Sequence, residues 1–77
     1  MPEIIALAKN VRKIRMKMKL SQLQFSLEIG ISLELLSMIE REKTNPRLST
    51  LQKIAAYVGC SVADLLRVEE GTNDENK

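Results

Sequence analysis

The chain has no His and no Trp, and its 77 residues include only one Cys, one Phe and one Tyr. Each shortage excludes something. Without His, a Gly-rich phosphate loop or a cluster of metal ligands, the usual parts of an active site are missing, and so short a chain has no room for a substrate cleft. We therefore expect no catalytic residue, no metal site and no cofactor. A lone Cys cannot form an intramolecular disulfide, which agrees with a reducing cytosol. No apolar run approaches the roughly 18 residues that a membrane span requires. Near the N-terminus the apolar residues precede the basic ones, the reverse of a secretory signal. The expectation is a cytoplasmic protein with no membrane partner. With aromatic residues at 3%, a core has to be built from Leu, Ile, Val, Met and Ala. That favours packed helices over a sandwich of β-branched and aromatic strands.

What is present suits one small domain. Apolar residues make up 44% of the chain, and a domain of this length buries about 60–65% of its chain surface. The formal net charge is only +2, but it is unevenly spread. Residues 1–19 carry six cations against Glu3 alone, whereas residues 54–77 carry Arg67 and Lys77 against five carboxylates. A polyanion meets a basic end and an acidic end. Ile4, Leu7, Val11, Ile14 and Met18 recur at three- and four-residue steps, which predicts a first helix over residues 3–18, with Pro2 suited to its opening position. A later helix ends at Gly59, needs a cap at Ser49 or a neighbour, and turns Leu51, Ile54, Ala55 and Val58 inward. Ser61 and Asp64 form a capping pair for a last helix bearing Val62, Leu65 and Leu66. No strand-like alternation and no internal repeat occur. From Glu69 onward the sequence EEGTNDENK is acidic and without an apolar residue, so we divide the chain into a domain over residues 1–68 and a disordered acidic tail over 69–77.

The 26 residues from Ser21 to Pro46 carry most of the information. Ser21 can cap a helix over residues 22–29, with Gln24 completing a capping box. Gly30 stops that helix, because Gly enters the left-handed region at no steric cost. Ser32 then caps a second helix over about residues 33–41. Two short helices joined by so tight a turn are expected of a helix-turn-helix, whose second helix lies in a DNA major groove.

This ordered series resembles the Cro-type (XRE) helix-turn-helix family of bacterial and phage transcriptional regulators. The matching residues are Arg15, Leu20-Ser21-Gln22, Gly30-Ile31-Ser32, Leu36-Ser37, Ile39-Glu40-Arg41 and Asn45-Pro46, then Thr50-Leu51, Lys53-Ile54-Ala55, Ser61 and Leu65-Leu66, so that residues 4–68 take part. The resemblance implies an all-α fold, a compact five-helix lambda-repressor-like domain, with Ile14, Phe25, Leu36, Ile39, Leu51, Ile54 and Leu65 in its core. It implies an ion pair between Arg15 and Glu40. It also implies phosphate contacts from the start of the first motif helix, at Ser21 and Gln22, and from the following loop at Lys43, Thr44, Asn45 and Arg47; free amides and a helix dipole favour an anion there. Base reading falls to the outward positions of the second motif helix, Leu33, Glu34, Ser37 and Met38, with Leu35 near the flank. Tyr57, Cys60, Val62 and Val68 lie where similar small repressors pair; finishing the core is the equal alternative for them.

The chain departs from the family pattern on its reading face. Leu33 and Met38 suit a thymine methyl, Glu34 a cytosine amino group, and Ser37 several base edges. Met16, Leu23 and Leu27 stand where polar residues are usual, and Lys19 and Glu42 replace glycines at helix ends. The leading function is a sequence-specific DNA-binding transcriptional regulator, a small repressor or autoregulator. Its partners would be double-stranded DNA with a palindromic operator and a second copy of the chain, and its place the nucleoid of a bacterium or phage host. The alternative is a protein-interaction module on the same scaffold, with a protein partner and weak or non-specific DNA binding.

Overall fold

The computed structural model describes residues 2–68; the acidic segment assigned to a tail lies outside them. Five helices follow in order: α1 (Pro2–Lys17), α2 (Gln22–Ile29), α3 (Leu33–Glu40), α4 (Leu48–Val58) and α5 (Val62–Leu66). No strand occurs among the described residues. α1 packs against α3 and α5, α2 against α3 and α4, and α4 against α5. One core joins them. Leu7 and Val11 of α1 meet Phe25 and Ile29 of α2, Leu36 and Ile39 of α3, Leu51, Ile54 and Ala55 of α4, and Leu65 of α5. Ile14 is half-buried at the edge of this cluster rather than within it. Met18 falls outside α1 and is exposed, so the apolar stripe stops one turn earlier than its spacing predicts.

Capping explains where the short helices begin. Ser21 accepts from the Gln24 N–H at 3.0 Å while the Gln24 side chain accepts from the Ser21 N–H at 3.1 Å, a complete capping box. Ser61 and Asp64 form the same reciprocal pair ahead of α5. Ser32 accepts from the Leu35 N–H at 3.0 Å. Of the cap expected at Ser49 or a neighbour, the Ser49 option is corrected. The helix opens at Leu48 with Arg47 in the cap position, and no side chain accepts from its first turn.

Four helices end alike. After each, the second or third residue beyond the helix donates its N–H back to a carbonyl five residues earlier: Leu20 to Arg15, Ile31 to Ser26, Lys43 to Met38 and Cys60 to Ala55. This closure needs one left-handed residue. Gly30 and Gly59 supply it at φ 92 and 82, but Lys19 and Glu42 adopt it at φ 60 and 62 with a full side chain.

Candidate nucleic-acid interface

The site is built around one buried ion pair. Arg15 on α1 donates from Nε to Glu40 Oε2 at 2.8 Å and from Nη2 to Oε1 at 3.1 Å, so the fork engages both carboxylate oxygens. The side chains are 15% and 3% exposed. The third guanidinium nitrogen, Nη1, donates to the Leu20 carbonyl at 2.9 Å and holds the turn between α1 and α2. Gln22, the first residue of α2, donates from Nε2 to Glu40 Oε1 at 2.9 Å. Three helices thus meet on one carboxylate. Desolvating Glu40 would be costly alone, but three charged or polar donors satisfy it.

This bracket fixes which side of α3 faces inward. Leu36 and Ile39 are buried, and Leu35 is half-buried against the core. Leu33 and Glu34 are exposed, while Ser37 and Met38 are half-buried. The four nominated readers therefore do not stand out equally. Leu33 and Glu34 are open at the N-terminal end of the helix, and the Ser37 hydroxyl is engaged by the Arg41 Nε at 3.3 Å.

The nominated phosphate residues divide into two places. Ser21 is exposed at the cap of α2, and Gln22 is half-buried on Glu40. Thr44, Asn45 and Arg47 line one shallow depression together with Leu35 of α3 and Ser49 and Thr50 of α4. Lys43 is exposed beside them but does not line it. The first turn of α4 opens there. Its amides lack a side-chain cap, so the depression combines helix N–H donors with Arg47, which suits an anion. Sequence reasoning did not nominate Ser49 and Thr50, because it considered Ser49 or a neighbour only as a cap. Arg15 faces inward, while Lys9, Arg12, Lys13 and Lys17 line a groove on α1 with Met16.

Of the residues nominated for pairing, Tyr57, Cys60 and Val62 are half-buried against the core, and only Val68 is exposed. The Tyr57 ring meets Phe25 edge-on, with centroids 5.8 Å apart. Burial, then the charge of Asp64, pushes the Cys60 thiol above its usual range, the opposite of an activated nucleophile. No group of three or more His, Cys, Asp or Glu that could hold a metal occurs among the described residues, and none of their helices is long and apolar enough to cross a membrane.

Two capped helices, the second braced from behind and flanked by an open anion-suited depression, define a helix-turn-helix unit. The chain belongs to the XRE-type helix-turn-helix family, a class of DNA-binding transcriptional regulators, which it matches over residues 11–65. It is 31% identical over 71 residues to the immunity repressor protein of Bacillus phage phi105, covering 92% of this chain and 49% of that protein. It is 36% identical over 69 residues to the HTH-type transcriptional regulator DdrOP3 of Deinococcus deserti, covering 90% of this chain and 54% of that protein. The chain spans about half the length of these curated relatives. The fold also matches a crystal structure of the hypothetical transcription factor NHTF from Neisseria, with a TM-score of 0.83 and 27% identity, over 95% of this chain and 84% of that one.

Proposed function

We propose that this chain is a sequence-specific DNA-binding transcriptional regulator, acting as a repressor, with residues 1–68 as its DNA-binding domain. α3 enters the major groove with Leu33 and Glu34 leading. The start of α2 at Ser21 and Gln22 holds one stretch of phosphate backbone, and Lys43, Thr44, Asn45 and Arg47 with the open start of α4 hold another. The observation that carries this reading is the Arg15–Glu40–Gln22 bracket. It fixes the reading helix and one phosphate clamp to the same carboxylate, so that backbone contact sets the register in which bases are read. The relatives named as repressor and regulator point the same way.

A second reading has its own support. Leu23 and Leu27 are exposed one turn apart on α2, Leu27 at 71%, and Leu33 is exposed on α3. Such residues suit a protein partner. Selection from random duplex DNA separates the two. A regulator returns one motif with two-fold symmetry, whereas a module that has lost base reading returns none and binds all duplexes alike.

A further inference from the structure

The reading face as nominated lacks a forked donor for guanine. Leu33 and Met38 are apolar, Glu34 only accepts, and Ser37, whose oxygen accepts from the Arg41 Nε, has a single O–H to donate. Guanine presents two acceptors in the major groove, O6 and N7, and a forked donor is its usual match. Arg41 supplies such a fork. It is exposed at the C-cap of α3, four residues after Ser37 and seven after Glu34, and therefore on the same side of the helix. Among the described residues it makes no ion pair.

Its conformation matters more than its position. A side chain at the end of the helix can run onward toward the Lys43–Arg47 loop or fold back along the helix. The bond from Arg41 Nε to Ser37 Oγ, 3.3 Å, takes the second course. It carries the guanidinium back one turn, over the face whose N-terminal part meets base edges in this motif. With Nε used, both Nη groups remain for a bidentate pair of N–H donors.

We propose that Arg41 is a base-reading residue of α3, held over the reading face by the Ser37 hydroxyl and directed at a guanine. Ser37 is then a positioning residue. This inference rests on the DNA-reading function proposed above.

The test is selection from random duplex DNA, followed by binding to single-base variants, with the full chain and its R41A, R41K, S37A and S37T variants. Thermal melting checks that each folds. The wild type should require one G·C pair per half-site, with about a tenfold loss when it is replaced. R41A should lose that requirement and keep preferences at other positions. R41K should keep most affinity yet lose the guanine requirement, because an ammonium cannot make the fork. S37A should weaken the requirement, and S37T should restore it by keeping the hydroxyl.

Three results would overturn the inference. R41A could lower affinity for every sequence alike and make the salt slope shallower by about 0.9, the signature of a phosphate contact. S37A could leave the guanine requirement intact, which removes the positioning role. A wild type with a clear motif that no Arg41 variant alters defeats the assignment while the regulator reading stands; a wild type with no motif defeats both.

Discussion

Glu42 stands at φ 62, where a side chain crowds the backbone and glycine would not. Such a residue costs of order 1 kcal/mol or more, while a glycine adds unfolded-state freedom of about 0.5–1 kcal/mol. Relief should exceed that freedom slightly, so Glu42→Gly is expected to stabilise the domain by about 0.5 kcal/mol, read as a higher urea midpoint with an unchanged slope. An unchanged or lower midpoint would show that Glu42 rests there without strain. Glu40 argues in the other direction. Glu40→Ala leaves Arg15 mostly buried and unpaired and removes the partner of Gln22. The expected loss is about 3–5 kcal/mol, against a total of only about 5–15 for a domain. A melting curve within a few degrees of the wild type would show the bracket to be ornamental for stability.

At the scale of the element, α5 is the helix most in need of outside support, being only five residues long. Asn10 of α1 donates its side-chain amide to the carbonyls of Leu65 at 2.8 Å and Arg67 at 3.0 Å, and so finishes the end of α5 from across the fold. Asn10→Ala should cost about 1–2 kcal/mol and speed hydrogen exchange in α5 before α3; uniform acceleration would assign the loss to the whole core. The other end of α5 is sensitive to acid. The Ser61 backbone N–H, then the Ser61 hydroxyl and the Arg67 guanidinium, hold the Asp64 carboxyl below its usual 3.8. A carboxyl lowered on folding lends stability that is complete above its unfolded value and lost as pH falls through its folded value. Protection of the α5 amides, measured against the exchange rate of the unfolded chain at the same pH, should therefore fall below about pH 3.8. Asp64→Asn should remove that dependence, and an unaltered profile would assign it elsewhere.

The same elements show what the sequence made legible. Ser21 with Gln24 and Ser61 with Asp64 are local signals separated by three residues, and both capping boxes form as expected. Lys19 and Glu42 were readable as glycine positions because the series around them fixes the register, and both adopt the left-handed conformation. The Arg15–Glu40 pair came from resemblance, and the structure forms it. Gln22 binding Glu40 was not legible, since the two lie eighteen residues apart and no local rule joins them. The same holds for Asn10, whose partners lie 55 and 57 residues away. Ser49 was the first option for the α4 cap, with a neighbour as the other, because Ser is a good cap by propensity; Arg47, one residue before Leu48, fills the position without a side-chain bond. Propensity nominates a cap; the path of the loop chooses it.

For the molecule as a whole, affinity for a polyanion should come from charge neutralised at the backbone. Lys43 is exposed at the loop that follows α3. Lys43→Ala should weaken binding to all duplexes about equally and make the log–log salt slope shallower by about 0.9, as one fewer counterion is released. A changed base preference at constant slope would move Lys43 from the clamp to the reading face.

An eight-residue α3 is about 12 Å long at 1.5 Å per residue, so under the proposed function a single copy would read only a few base pairs. Two copies on one face of the duplex require half-sites about 34 Å apart and a two-fold operator. The structure narrows which residue to change in testing this. Tyr57 packs edge-on against Phe25, and Cys60 and Val62 also rest on the core, so substitutions there confound pairing with folding. Val68 is the exposed one of the four, beside Ile5 and Pro2 at the start of α1. Val68→Asp should leave melting nearly unchanged yet convert a sedimenting dimer to monomer and reduce binding to that expected of a single half-site. Inserting about five base pairs between half-sites, half a helical turn, should do the same to the wild type by placing the two copies on opposite faces. If the wild type sediments as a monomer both free and on its best site, and tolerates the insertion, recognition by a symmetric pair is wrong. The operator would then be a single short site, bound mainly through its phosphates.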